Sequence, residues 1–173
     1  IKKNTKLVHV ESPTNPLLEL CDIEATSKIC KSQNVLLSVD NTFMSPYGQR
    51  PLELGADISM QSSTKSLSGH SDVLGGVLTT NDNELHERLQ FMLKATGGVP
   101  SPFDNWITLR STKTLALRYQ KATENAYELA NWLSSQKNIK KTIYPGLKSH
   151  PQYAIAKKQQ LSPKGEVVFG AML

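Results

Sequence analysis

The chain has 173 residues, of which 38% are hydrophobic and 20% are charged, and its formal net charge at pH 7 is +5. This composition is typical of a folded globular protein and excludes a disordered one. No apolar run approaches the ~20 residues that a membrane helix requires, and the first ten residues lack the apolar core of a secretory signal. Because the basic residues are dispersed and only 6% of residues are aromatic, we expect neither a nucleic acid nor a membrane as partner.

The two cysteines, Cys21 and Cys30, predict a reducing compartment. Both fall in a segment with helical spacing, where a rise of ~1.5 Å per residue separates them by roughly 13 Å, too far for a disulfide. Free thiols are typical of the cytoplasm, so we expect the protein to be cytoplasmic. The sequence has no CxxC motif and no cluster of His and Cys, so we expect no metal ion.

Hydrophobic patterning predicts alternating strands and helices. Short apolar runs bounded by turn residues predict strands at 6–11, 35–39, 56–60 and 73–80. Apolar residues at helical spacing predict helices at 22–33, 83–96 and 103–135, the last with a break near 111–112. This alternation favours an α/β fold with a mainly parallel sheet and flanking helices.

A change in composition after the long helix predicts a domain boundary. Residues 1–136 would form one domain that ends in this helix, and residues 137–173 would begin a second. In the second we predict a linker and a strand at 137–144 and a further strand at 166–173. Because the chain starts at Ile1 and stops within a strand-like run, we expect it to be a segment of a longer protein.

Polar side chains follow three of the predicted strands, at 11–15, 40–42 and 62–65. Because ligands bind beyond the carboxyl ends of parallel strands, these side chains should converge on one crevice. The set includes a carboxylate (Asp40), a lysine amine (Lys65), an amide and several hydroxyls. Pyridoxal phosphate requires such a set, because its aldehyde bonds to a lysine amine and a carboxylate keeps its pyridine nitrogen protonated. Hydroxyl groups can bind its phosphate.

Each candidate residue also has a purely structural interpretation. A single lysine after a strand is usually solvated, and Ser, Thr and Gly around it are common loop residues. Asp40 could cap a turn, Ser62 and Thr64 could satisfy a turn, and Asn15 could serve only as a turn residue between prolines. We interpret His70 as structural, holding the Gly-His-Ser turn, and the two cysteines as helix packing.

Several motifs resemble the cysteine/methionine-metabolism family of pyridoxal-phosphate enzymes. The stretch SSTKSLSGHS at 62–71 is similar to the cofactor-lysine motif of that family, and VDNTFMSPY at 39–47 precedes it in the same order. The segments ESPTNP at 11–16, VPSP at 99–102 and YPGL at 144–147 extend the resemblance across nearly the whole chain. By resemblance, the fold would be part of an aspartate-aminotransferase-like large domain.

The resemblance implies a role for each candidate residue. Lys65 would form the Schiff base with pyridoxal phosphate and would shuttle protons between substrate carbons. Asp40 would pair with the pyridinium nitrogen, and Ser62 and Thr64 would hold the phosphate. Asn15 would lie near the ring hydroxyl or the substrate carboxylate. The complete protein would act on an amino acid and form a homo-oligomer, a tetramer by the family pattern.

Within the family, the chain is most similar to members that cleave cystathionine at its Cγ–S bond in transsulfuration, releasing cysteine, 2-oxobutanoate and ammonia. Three other family reactions remain open: the synthesis of cystathionine, the γ-cleavage of methionine and the β-cleavage of cystathionine. A further alternative is a non-catalytic fragment that acts only in association. Three features depart from the family pattern, because Ser66 replaces a large residue, RSTKTL at 110–115 replaces RGLKTL, and Ala122 replaces a histidine.

Overall fold

The computed structural model describes residues 1–173, with four strands and six helices. The strands are β1 (Leu7–Glu11), β2 (Leu36–Asp40), β3 (Ile58–Ser62) and β4 (Gly76–Thr79). The helices are α1 (Ile23–Ser32), α2 (Ser45–Gly48), α3 (Asn83–Thr96), α4 (Pro102–Thr112), α5 (Leu115–Ser134) and α6 (Tyr153–Gln159). Directly after β3 the chain forms one wide helical turn, Ser63–Leu67, called the lysine turn below.

The strands form one sheet in the order β1-β2-β3-β4. Strands β1, β2 and β3 are parallel, and β4 pairs with β3 in the antiparallel direction. The register places Asp40 beside Glu11 on one side and beside Met60 on the other. The prediction of a mainly parallel sheet with flanking helices is therefore confirmed, and the polar residues that follow the parallel strands share one edge of the sheet.

An apolar core joins α1 to the sheet. The carboxylate of Asp22 caps this helix, accepting a hydrogen bond from the backbone N–H of Ala25 at 2.9 Å. The buried cluster comprises Ile23, Cys30, Val35, Leu37, Val39 and Ala56. Each of the larger side chains contributes about 1.5–3 kcal/mol through burial. The core thus fixes the position of β2 and of Asp40 at its end.

The helices that follow β4 confirm the predicted tract and its break. Helix α3 ends at Gly97, whose φ of 69° lies in the left-handed region that favours glycine. The predicted break near 111–112 lies at 113–114, between α4 and α5. The tract is therefore two helices, and α5 begins close to the lysine turn.

The strands predicted at 137–144 and 166–173 are wrong. The structure has no strand in either segment, and the second contains only Val167 of an isolated bridge with Leu161. Tyr144 and Phe169 pack against α5, so their apolar surfaces are covered by a helix rather than by neighbouring strands. Helix α6 was not predicted. The domain boundary after residue 136 stays a prediction.

Large apolar side chains are exposed on α3, α4 and α5. Phe91 is 67% exposed, Phe103 is 65% exposed, and Trp106 and Trp132 are each 58% exposed. Exposed apolar surface of this extent is typical of surfaces that contact other protein. None of the helices combines the length and the apolar character needed to cross a membrane.

Candidate active site

A cavity of about 740 Å³ opens beside the lysine turn. Its wall includes Thr64, Lys65 and Ser66 from the turn, Asp72 from the loop before β4, and Arg118 from α5. Small-molecule sites usually have volumes of about 300–1,000 Å³. The cavity lies beyond the carboxyl end of β3, one of the three strands whose ends the sequence predicts to form a crevice.

Lys65 lies in the turn that immediately follows β3. Its backbone angles, φ −92° and ψ −123°, depart from helical values. Its side chain is exposed at the cavity wall and takes part in none of the ion pairs of the structure. A lysine amine in this position is free to form a covalent bond with a carbonyl carbon.

Thr64 lies in the cavity wall and also joins the lysine turn to the loop before β4. It lines the cavity, and its hydroxyl oxygen accepts a hydrogen bond from the backbone N–H of Gly75 at 3.0 Å. Another hydrogen bond closes the turn, from the N–H of Gly69 to the carbonyl oxygen of Lys65 at 2.7 Å. The turn is therefore tied to the loop before β4 through the hydroxyl predicted to bind a phosphate.

Asp40 and Ser62 lie at the ends of their strands but do not line the cavity. One carboxylate oxygen of Asp40 accepts a hydrogen bond from the N–H of Thr42 at 2.9 Å. The hydroxyl oxygen of Thr42 accepts one from the N–H of Ser62, also at 2.9 Å. Thr42 therefore links the two residues, and both are partly buried.

Two further residues from the sequence analysis lie apart from the cavity wall. Asn15 is exposed in the loop after β1 and does not line the cavity. The Nδ1 atom of His70 lies 2.5 Å from the carbonyl oxygen of Ser68, which agrees with a structural function for this histidine. The structure thus brings Lys65 and Thr64 together at the cavity, with neither Asn15 nor His70 in its wall.

Sequence reasoning missed several residues of the cavity wall, among them Arg118 and Tyr119. Both are neighbours on α5, and their only sequence signal is a position in a helix that follows the lysine motif. The hydroxyl of Tyr119 donates a hydrogen bond to the carbonyl oxygen of Phe43 at 2.6 Å. Burial raises the pKa of Tyr119 well above its usual value, so this hydroxyl stays protonated.

Two of the departures from the family pattern also lie at the cavity. Ser66 and Ala122 both contribute to its wall. Since both side chains are small, they leave space next to Lys65. Neither residue takes the place of a group that the resemblance assigns to the cofactor.

Comparison with known families gives a match over residues 1–171 to the Cys/Met metabolism PLP-dependent enzymes, where PLP is pyridoxal 5′-phosphate. The chain belongs to this family. The resemblance drawn from the lysine motif is thereby confirmed, and the members of this family are enzymes.

Relatives in the Cys/Met metabolism family carry more than one name. The chain is 50% identical over 165 residues to cystathionine gamma-lyase of Dictyostelium discoideum. The matched residues cover 95% of this chain and 43% of that relative. It is 48% identical over 159 residues to a probable cystathionine gamma-synthase of Herpetosiphon aurantiacus, with coverages of 92% and 50%. The crystal structure of metB from Corynebacterium glutamicum has a TM-score of 0.93 at 47% identity, covering 99% of this chain and 43% of that one. This chain therefore spans half the length of these relatives or less.

Membership of the Cys/Met metabolism family implies pyridoxal 5′-phosphate as the cofactor, and the residues of the cavity fit this group. Lys65 offers an exposed amine, while Thr64, Ser66 and Ser71 place hydroxyl-bearing side chains in the same wall. An amine and several hydroxyl groups in one wall suit a ligand that carries both an aldehyde and a phosphate.

Proposed function

We propose that the full natural chain containing residues 1–173 is a carbon–sulfur lyase of transsulfuration. With one water, it would cleave cystathionine to cysteine, 2-oxobutanoate and ammonia, a step of cysteine biosynthesis. The observation that carries this proposal is the exposed amine of Lys65 in the wall of a cavity of about 740 Å³. The relative named cystathionine gamma-lyase, at 50% identity, supports the choice of substrate.

Lys65 is the catalytic residue of this proposal. Its amine would hold the cofactor covalently through the aldehyde carbon, with release of water, and once freed by the substrate it would take a proton from one substrate carbon and give it to another. When bound, pyridoxal phosphate supplies an electron sink for the carbanion that proton removal leaves on the substrate. Because Lys65 takes part in none of the ion pairs of the chain, no ion pair has to break before it can act.

The other candidate residues would hold the cofactor and substrate. We assign Asp40 to the pyridine nitrogen, since a carboxylate there favours the protonated ring. We assign Ser62 and Thr64 to the phosphate, and Asn15 to the ring hydroxyl or the substrate carboxylate. The hydrogen bond from the N–H of Thr42 holds one carboxylate oxygen of Asp40, and the other oxygen takes no part in that hydrogen bond.

The first test replaces Lys65 by alanine in the full natural chain. Because Lys65 supplies both the covalent attachment and the proton transfer, we expect kcat for cystathionine to fall by about 10³-fold. The matched control is Lys121→Ala, which removes a lysine whose side chain is 69% exposed on α5. Normal turnover in Lys65→Ala would contradict the proposal.

Product analysis of the same protein decides among the reactions of the family. Cysteine with 2-oxobutanoate indicates γ-cleavage of cystathionine, and homocysteine with pyruvate indicates β-cleavage. Methanethiol indicates γ-cleavage of methionine, and a requirement for an activated homoserine ester indicates synthesis of cystathionine. The relative named as a probable gamma-synthase makes the last outcome the main competitor.

We further propose that the protein is a cytoplasmic homo-oligomer, a tetramer by the family pattern. Both cysteines are free thiols, which favours a reducing compartment. The exposed apolar residues of α3 to α5, together with the exposed edge strand β4, are suited to a second copy of the chain. The same surface supports the non-catalytic alternative, association without turnover, and light scattering combined with the activity assay separates the two.

A further inference from the structure

Arg118 donates four hydrogen bonds around the lysine turn. Its Nη1 donates to the carbonyl oxygen of Ser66 at 2.9 Å, and its Nη2 donates to that of Leu67 at 3.3 Å. Nη2 also donates to the carbonyl oxygen of Ser111 at 3.0 Å, and Nε donates to the hydroxyl of Thr114 at 3.0 Å. One guanidinium group therefore joins the lysine turn to the end of α4 and the start of α5.

The two carbonyl groups of the lysine turn that Arg118 binds, those of Ser66 and Leu67, have no backbone donor. Two backbone hydrogen bonds close the turn. The N–H of Ser68 donates to the carbonyl oxygen of Ser63 at 3.0 Å, and the N–H of Gly69 donates to the carbonyl oxygen of Lys65 at 2.7 Å. The carbonyl oxygens of Ser66 and Leu67 accept from Arg118 instead, because the last carbonyls of a helix need a donor from outside the helix. The backbone on both sides of the Lys65 side chain is therefore fixed by hydrogen bonds.

Gly69, the second residue after the lysine turn, leaves space for the guanidinium. Gly69 has φ of +72°, and a Cβ atom at this position would lie 1.9 Å from Nη1 of Arg118. Any side chain at position 69 would therefore push the guanidinium away from the carbonyls of the turn. Arg118 fits a space that a glycine keeps open.

We propose that Arg118 is a positioning residue that holds the lysine turn so that the amine of Lys65 faces the cavity. The inference rests on the proposed function, since it is the covalent attachment of pyridoxal phosphate at Lys65 that gives the fixed turn its purpose. Arg118 acts through Lys65 and not as a catalytic residue. Its planar group with several N–H donors suits this function better than the single ammonium of a lysine.

The first experiment measures amide hydrogen exchange in the full natural chain without added cofactor. In Arg118→Met, we expect the amides of Ser68 and Gly69 to exchange at least about tenfold faster, because the turn opens more readily. The control is Arg50→Met, since Arg50 makes a similar contact elsewhere, donating to the carbonyl oxygen of Leu161 at 2.8 Å. Unchanged exchange in Arg118→Met, or an equal change in Arg50→Met, would overturn the inference.

The second experiment titrates the same proteins with pyridoxal phosphate and follows the absorbance of the attached cofactor. We expect Arg118→Met to raise the apparent Kd about tenfold, an effect of the size of one lost charge-assisted hydrogen bond. Arg118→Lys should not restore the affinity, and Arg50→Met should keep it. An Arg118→Met protein with faster exchange but a normal Kd and spectrum would overturn the inference, as would full rescue by Arg118→Lys.

The two experiments separate this inference from the proposed function. If the unchanged protein does not attach pyridoxal phosphate at Lys65, the proposed function fails, and with it the purpose assigned to Arg118, whatever the exchange rates show. If the unchanged protein attaches the cofactor and Arg118→Met does so equally well, only the inference fails. Should Arg118→Met not fold, Arg118→Lys takes its place in both measurements, with faster exchange and weaker affinity expected.

Discussion

The lysine turn and a group of buried amides, both near the carboxyl edge of the sheet, use polar side chains in opposite ways. The amide junction consists of Asn41, Gln49 and Gln159, of which none is more than 4% exposed. In this junction the amides are bonded to one another and to nearby backbone groups. In the lysine turn, Lys65 stays exposed at a cavity although the backbone around it is fixed.

The hydrogen bonds of the amide junction connect Gln159 of α6 to residues at least 110 positions earlier in the chain. Nε2 of Gln49 donates to Oδ1 of Asn41 at 2.9 Å, and Nε2 of Gln159 donates to Oε1 of Gln49 at 3.1 Å. Gln159 also accepts from the N–H of Ile23 at 3.2 Å and donates to the carbonyl oxygen of Cys21 at 3.0 Å. Since the junction satisfies its own polar groups, it has little to offer a ligand, whereas the lysine turn offers an amine.

The largest effect on stability is expected from a substitution of Gln159 in the amide junction. In Gln159→Leu the N–H of Ile23 and the oxygens of Cys21 and Gln49 lose a partner, so we expect the free energy of unfolding to fall by about 3 kcal/mol. Urea unfolding measures the loss. Gln90→Leu on the exposed surface of α3 is the control, with a change within about 0.5 kcal/mol. Faster exchange of Ser68 and Gly69 in folded Gln159→Leu would show that the two regions are coupled and would contradict the comparison.

A smaller effect is expected from the pH dependence of stability at His150. Burial lowers the pKa of His150 below its ordinary 6.5, and its Nδ1 accepts a hydrogen bond from the N–H of Gln152 at 3.2 Å. The unfolded chain therefore binds the proton first, so the stability from neutral His150 is present above about pH 6.5 and is lost as the pH falls below it. His150→Gln should lose less stability than the unchanged protein between pH 7.5 and 5.5, whereas the exposed His86→Gln should behave like the unchanged protein. Equal losses in all three proteins would refute the assignment.

The smallest effect is expected at the surface ion pairs of Glu24. Its carboxylate lies 2.7 Å from Lys28 and 2.8 Å from Lys158, and hydrogen bonds to Lys158 and then Lys28 lower its pKa to about 2. The contribution of ionised Glu24 to stability is fully present above pH 4.5 and is lost as the pH falls towards 2. Glu24→Gln should reduce stability slightly, less so in about 0.5 M salt, because salt screens exposed pairs. Glu128→Gln, also on an exposed helix surface, is the control, and a loss in Glu24→Gln that salt does not reduce would contradict this account.

The sequence was sufficient to predict the parallel sheet and the position of Lys65, because both depend on local patterns. Apolar runs marked the strands, and the run of hydroxyls after β3 marked the turn that follows it. The same argument placed Asp40 and Ser62 in the crevice, yet neither lines the cavity. Position along a strand predicts which edge of a sheet a residue reaches, but not whether its side chain opens into a cavity.

The contacts that complete the site join segments far apart in the chain. Arg118 binds the carbonyl of Ser66, 52 positions earlier, and Gln159 contacts Gln49 across 110 positions. Neither pair has a signal in local spacing. The predicted strand at 137–144 failed for a similar reason, since Tyr144 packs on α5 and the segment has no neighbouring strand to pair with.

The most direct measurement locates the cofactor on the chain. The full natural chain is mixed with pyridoxal phosphate, reduced with borohydride and digested, and the peptide that carries the pyridoxyl mass is identified. We expect the mass on Lys65 alone, and its loss in Lys65→Ala. Mass spread over exposed lysines, or equal labelling in Lys65→Ala, would contradict the claim that the lysine turn is the site of the cofactor.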